Sequence, residues 1–317
     1  MAARSARQWQ ELRWSARVHL ARRRSRRPRR PVAEPSAGGS LQPLLVDMIE
    51  GRVGSTLLMQ LLGTSPDIVF DRVYPFENRY LHCLLSAVRH VDQPLRDRPE
   101  PGAAGVLDGS GGSLPFVPLS LDPVQLRDGA VSALWAAFCA ATEAFSGAPG
   151  RFYAEKALAD DVDLLVRSGV AARVVHLVRD PRDVVASVRA FDAKRGYPGF
   201  GRRPGDDDAA DLDRLLRGMR DRFDAFERRA GLVDSRLVRY EDLVRDLAGV
   251  AAELGTWLGA ALDPAAVERG RAAMARHMTS ADPESSIGRW RRDLDPADAD
   301  RVVEVLGPAM RRHGYLG

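Results

Sequence analysis

The sequence is almost without lysine. Lys156 and Lys194 stand against 45 arginines, a bias that reflects base composition of the coding sequence more than function. It makes each of the two lysines a position to examine. There are two cysteines, Cys83 and Cys139, too few for a disulfide framework. Neither falls in a C-x-x-C or Cys/His cluster, so no metal site is expected. A reducing, cytoplasmic setting is the expectation. No apolar run reaches the roughly 18 residues that a membrane helix needs. The longest candidate, Val131 to Phe145, is interrupted by Ser132, Thr142 and Glu143. The basic N-terminus lacks the apolar core of a signal peptide, and no internal repeat is visible.

What is present fits a soluble globular chain. At 317 residues, 45% hydrophobic and 28% charged, it is long enough for one large α/β domain. The charge is unevenly placed. Residues 1–30 hold 11 arginines and one acid, Glu11, and the whole chain sums to +4, so the rest is mildly acidic. Residues 1–42 read as a basic arm and linker, and 43–317 as the folded domain. In the arm, Trp9, Leu12, Ala16 and Leu20 share one helical face, and Arg22 to Arg30 is a basic run. That pattern suits a solvated tail. It equally suits peripheral contact with anionic lipid or an acidic partner.

Along the body, Leu44 to Ile49 reads as a buried strand, followed by a glycine loop and an apolar helix from Leu57 to Leu62. Residues 92–125 are rich in proline and glycine and read as an inserted loop. A helix is expected from about Pro123 to Phe145. Strands are expected at Arg151–Glu155, Ala172–Val178 and Ser235–Tyr240. Helices are expected at Asp161–Ser168, Arg182–Phe191, Ala209–Ala230 and Glu241–Leu258. The loop at 194–208 is polar and glycine-rich. Strands alternating with helices point to a three-layer, P-loop-like α/β fold, with a mainly parallel sheet of about five strands and helices on both faces.

Two segments carry phosphate chemistry. In Glu50-Gly51-Arg52-Val53-Gly54-Ser55-Thr56, a strand gives way to a glycine turn and a helix start, where free backbone N–H groups and the helix dipole favour an anion. Gly51 and Gly54 allow the chain to curl. Ser55 and Thr56 add hydroxyls, and Arg52 adds a fixed cation with a bidentate fork. The G-x-x-x-x-G-K-[ST] pattern of ATP-binding loops needs a lysine where this chain has Gly54, and no acid for magnesium is evident. In Val174–Ser187, a strand ends at Arg179 and Pro181 opens a helix at its preferred first position. Arg179 and Ser187 are thus placed to grip one phosphate from the strand end and the helix face.

Gly51 to Leu58 resembles the 5′-phosphosulfate loop of the sulfotransferases that use 3′-phosphoadenosine 5′-phosphosulfate (PAPS), with Val53 where serine is common. The Arg179-Asp180-Pro181 turn leading to Ser187 resembles their 3′-phosphate motif. Val238 to Leu243 is similar to the family's YEDL segment, and Ser285 to Arg291 to the loop that closes over the nucleotide. The resemblance spans about residues 44–292. It implies PAPS as donor and no metal. It implies that Arg52, Val53, Gly54, Ser55, Thr56, Arg179, Ser187, Tyr240, Gly288, Arg289 and Trp290 hold the nucleotide. Tyr240 would lie near adenine, Trp290 would stack, and Arg289 or Arg291 would reach the 3′-phosphate.

Sulfuryl transfer needs positive charge on the departing oxygens, an aligned acceptor and a base for its proton. Glu77, in Tyr74-Pro75-Phe76-Glu77-Asn78-Arg79-Tyr80, resembles the glutamate that follows the first helix in the glycan and bacterial branches of the family and is the proposed base there. His82 is the alternative base. Lys156 lies in Glu155-Lys156-Ala157, which resembles an EKTP stretch with its threonine and proline replaced. Lys156 and Arg52 are expected to stabilise the sulfonate. His176, mid-strand, reads as a core residue. The acceptor is expected to be a glycan, lipid or small molecule bearing a hydroxyl or amine, with 92–145 and 192–208 shaping its pocket. No nucleic-acid partner is expected. Two other readings stay open at this point: an ATP- and magnesium-dependent phosphotransferase, and a non-catalytic binding protein acting through its basic arm.

Overall fold

The structure is a computed structural model, and it describes residues 41–88, 123–146, 150–203, 205–270 and 282–316. The expectations for the basic arm and for most of the 92–125 stretch lie outside these residues.

Five strands form one sheet: β1 (Gln42–Met48), β2 (Ile68–Val69), β3 (Phe152–Ala157), β4 (Arg173–Val178) and β5 (Asp234–Arg239), in the order β2-β3-β1-β4-β5. Every pairing is parallel. β1 lies at the centre because Leu44, Leu45 and Val46 are apolar in succession and must be covered on both faces; each is at most 1% exposed. Parallel strands require crossovers, and helices supply them: α1 (Ser55–Leu62), α2 (Tyr80–Val88), α3 (Pro123–Ser146), α4 (Ala159–Arg167), α5 (Pro181–Arg195) and α6 (Asp208–Arg229). After β5 come α7 (Tyr240–Arg245), α8 (Leu247–Leu258), α9 (Pro264–Gly270), a 3₁₀ turn at Glu284–Ser286, α10 (Trp290–Asp293) and α11 (Pro296–Arg312).

Alternation along the strands sorts the core into two layers. Leu44, Val46, Val175 and Leu177 pack with α1, α8 and the inner faces of α5 and α6. Leu45, Tyr153 and Val174 pack with α2, α4 and the Trp135–Cys139 face of α3. The sheet therefore carries helices on both faces, the three-layer α/β arrangement expected. No helix among the described residues is long and apolar enough to cross a membrane.

The register brings the carboxyl ends of β1, β3 and β4 to one edge: Asp47 pairs with Ala157 and with His176. In open parallel sheets this edge is where ligands bind. Two expectations shift. β1 begins at Gln42, before Leu44, with Leu41 already buried. The helix read over Glu241–Leu258 is two helices, because the Asp246 side chain accepts from the Gly249 N–H and starts α8 afresh. The two-residue strand β2 is too short to announce itself by alternation.

Candidate active site

The turn after β1 is built as an anion cradle. α1 starts at Ser55 with Gly54 as its N-cap and no capping side chain, so its first amides have no partner within the helix. Gly54 has φ 92° and Arg52 φ 68°, the left-handed region that an arginine enters only when its surroundings impose it. Gly54 has a second reason to be glycine: a Cβ there would overlap the ring of Tyr240, and one at Gly51 would meet the ring of Phe200. Val53 points inward and is fully buried, so the valine in place of serine fills core and the cradle keeps its backbone. Glu50 Oε1 accepts from the Gly51 N–H at 2.9 Å, and its Oε2 pairs with Arg222 at 2.6 Å.

The end of β4 supplies the second half. Arg179 is 3% exposed. It donates to the Arg52 carbonyl at 2.9 Å and the Ser286 carbonyl at 2.6 Å, and its guanidinium lies 4.3 Å from the Tyr240 ring centre. Its buried Nε has no hydrogen-bond partner among the described residues. Arg52 Nε lies 3.4 Å from Ser187 Oγ, so the turn after β1 and the first turns of α5 meet. Burial first, then the like charges of Arg179, Arg289 and Arg195, lowers the Arg52 guanidinium to about 10. Crowded cations of this kind gain when an anion arrives.

Lys156 projects from β3 to the same edge and is 2% exposed. Its ammonium donates to Thr56 Oγ1 at 3.2 Å and to the Pro75 carbonyl at 2.7 Å, and lies 3.7 Å from Glu77 Oε1. Burial lowers it to about 8, against the pull of Glu77. Glu77 is 62% exposed. It sits on a tied segment. Asp71 accepts from the Val73 N–H, Asn78 Nδ2 and the Tyr80 hydroxyl, and Lys156 holds Pro75, whose bond to Tyr74 is cis.

These groups line one cavity of about 570 Å³. Arg52, Gly54, Ser55, Thr56, Arg179, Ser187 and Tyr240 line one part of it. Tyr74, Glu77, Arg79, Lys156, Phe191, Arg195, Tyr197 and Phe200 line the rest. The 192–208 loop lines this cavity through Arg195, Tyr197 and Phe200, while most of 92–145 lies outside the described residues or, in α3, away from the cavity lining.

Four expected nucleotide residues are not in the lining: Val53, buried in the core, and Gly288, Arg289 and Trp290. Trp290, read as stacking on the nucleotide, packs against two guanidiniums, Arg182 at 4.0 Å and Arg291 at 4.6 Å. Arg289 is buried and pairs with Asp293 at 2.7 Å. Gly288 (φ 70°) donates its N–H to Asp183 at 2.7 Å, as Trp290 does at 2.9 Å. Their loop reaches the cavity through Asp282, Pro283 and Ser286 instead. His82 does not line the cavity either: its Nδ1 faces Asp161 at 3.1 Å and its Nε2 faces Ser86 at 3.4 Å. His176 is buried against Phe226 and lies 3.4 Å from Asp47, which also pairs with Arg229. It is a core residue, as read.

Several supports escaped the sequence reading. Asp183, 1% exposed with its carboxyl raised by burial, clamps the 282–292 loop onto α5. Glu241 accepts from the Asp180 N–H at 3.0 Å and the Tyr315 hydroxyl at 3.1 Å. Glu155 accepts from the Leu81 and His82 N–H groups and so caps α2. The one available signal was an acid inside or beside an otherwise apolar stretch, which marks a buried acceptor.

No curated protein matches the chain. Among solved structures, the sulfotransferase domain of the Synechococcus PCC 7002 olefin synthase aligns over 86% of this chain and 98% of its own at 20% identity, with a TM-score of 0.45. Sulfotransferase STF9 of Mycobacterium avium covers 89% of this chain and 77% of its own at 14% identity and a TM-score of 0.42. Retinol dehydratase, solved with androsterone and the inactive cofactor PAP, covers 84% and 80% at 14% identity and a TM-score of 0.43. The sequence profile of the sulfotransferase family matches residues 51–264, a span that holds both phosphate motifs, and the chain belongs to that family.

Proposed function

We propose that the chain transfers the sulfuryl group of PAPS to a hydroxyl or amine of its acceptor and releases adenosine 3′,5′-bisphosphate. One observation carries this reading: two anion grips, the Gly51–Thr56 turn and the Arg179/Ser187 pair, open into one cavity and touch through the 3.4 Å approach of Arg52 to Ser187. A donor with phosphates at both 5′ and 3′ positions needs two such grips, and the unpartnered Nε of Arg179 is the kind of buried donor a phosphate oxygen satisfies.

In the reaction the acceptor oxygen or nitrogen attacks sulfur. The bond from sulfur to the oxygen bridging it to the 5′-phosphate breaks, and its electron pair stays on that phosphate oxygen. Lys156, hydrogen-bonded to Thr56, and Arg52 would neutralise the charge that develops there. Glu77 would take the acceptor's proton. Its place 3.7 Å from Lys156 supports acid–base and electrostatic roles at one point. Tyr240, held by Ser286 at 2.7 Å, would stand beside the nucleoside.

The test is thermal stabilisation by adenosine 3′,5′-bisphosphate against ADP, each with and without magnesium. A ligand at ~100 times its Kd adds ~2.7 kcal/mol. A magnesium-independent rise confined to the 3′-phosphorylated nucleotide, and lost in Arg179→Ala, is expected. A rise with ADP and magnesium alone would replace this reading with phosphotransfer.

A further inference from the structure

The cavity holds a positive charge that no acid among the described residues balances. Of the cations that line it, Arg222 is paired with Glu50, Lys156 with Glu77, and Arg195 with Asp192. Arg195 is also packed against the rings of Phe191 and Tyr197, each 4.6 Å from its guanidinium. Arg179 donates to two carbonyls. Arg79 differs. It lines the cavity and is half-buried. No acid among the described residues lies within ion-pair distance, and its Nε, shielded from solvent, has no hydrogen-bond partner.

The guanidinium presents a planar cationic fork that matches an oxyanion. A partly desolvated, unpaired guanidinium costs stability that an anionic ligand would offset. Its position is also fixed. The preceding segment is tied by Asp71 to Asn78 and Tyr80, and the helix that follows is capped by Glu155. The α2 amides are thereby occupied, which leaves the Arg79 side chain as the free recognition group. Arg79 lies two residues beyond Glu77 and lines the same cavity as Glu77 and Lys156.

We propose that Arg79 binds an oxyanion on the acceptor, so that the acceptor class is one carrying a carboxylate, sulfate or phosphate close to the hydroxyl or amine that is sulfated. The inference rests on the cavity being the donor–acceptor site. Tyr74, Phe191, Tyr197 and Phe200 line the same cavity and give it an apolar, aromatic surface.

The experiment is calorimetric titration of the protein saturated with adenosine 3′,5′-bisphosphate, using two probes of one shape, 4-hydroxybenzoate and 4-hydroxybenzamide. A charge-assisted bidentate contact predicts ~10- to 100-fold tighter binding of the carboxylate, weakened by salt. The preference should vanish in Arg79→Gln and survive in part in Arg79→Lys. Equal affinities, no binding of either probe, or a preference kept in Arg79→Gln would each overturn the assignment. Nucleotide-induced stabilisation is read first in every protein. Its absence in the wild type overturns the donor reading itself, and its persistence in Arg79→Gln certifies a folded variant with an intact donor end.

Discussion

The two ends proposed for the cavity are made differently. The proposed donor end is set largely by residues at strand termini. Arg179 and Tyr240 are each under 10% exposed, and each is held by partners distant in sequence. Arg179 reaches Ser286, Tyr240 reaches the same turn, and Asp183 grips Gly288 and Trp290. The proposed acceptor end draws mainly on connecting segments, 71–80 and 196–203, with Glu77 and Tyr197 more than half exposed, together with Phe191 and Arg195 at the end of α5. Strand ends in a parallel sheet are positioned by the ladder, so a constant ligand is well served there. Loops accept substitution without disturbing the core, so a variable ligand is well served at the other end. Lys156 sits on the seam: it comes from a strand but touches both Thr56 of the cradle and Pro75 of the loop.

The largest expected effect tests whether the seam is chemical. Glu77→Gln should lower kcat by ~10²- to 10⁴-fold, the range for loss of a general base, with nucleotide affinity unchanged. Turnover near the wild-type rate would move the base elsewhere and leave the acceptor end with recognition alone.

Next is Lys156→Met, expected to lower kcat by ~10²- to 10³-fold. Its ammonium, lowered by burial to about 8 from 10.5, carries the charge below that pH. Activity should therefore fall as pH rises through about 8, and in Lys156→Arg that limb should move upward. Stability runs the other way. Between pH 8 and 10.5 the unfolded chain binds the proton that the folded chain has lost, so this group's contribution to stability rises with pH. Melting temperatures of wild type and Lys156→Met should converge across that window if the burial cost is real.

The smallest effect sharpens the donor side. Asp183→Asn keeps the shape but replaces one acceptor oxygen by an N–H₂ donor, leaving one loop amide unmet at a cost of ~1–3 kcal/mol. Nucleotide affinity should drop ~5- to 100-fold, with the Michaelis constant for the acceptor little changed. Equal losses in both would show that the two ends are not separable.

Much of this was legible in the chain. The apolar runs of β1 and β4, the glycine turn after one and the Arg-Asp-Pro turn after the other are local patterns, and each dictates strand, turn and helix through the residues within a few positions. They sufficed for a parallel α/β sheet and for the resemblance to the sulfotransferases, and they bring Arg52 and Ser187 into one cavity. A lysine retained among 45 arginines also drew attention to Lys156. The contrast with Lys194, exposed on α5, was not readable.

What the tertiary structure alone decided are contacts between residues far apart in sequence. Glu77 is 79 residues from the lysine it faces, the Asp183 clamp spans 105 residues, and Glu155 caps a helix 74 residues before it. The packing of Trp290 against the sequence-distant Arg182 is of the same kind. Local pattern determines which element a residue enters and which face it takes. Which buried acid meets which distant amide, and which arginine is left without a partner, depends on how those elements pack.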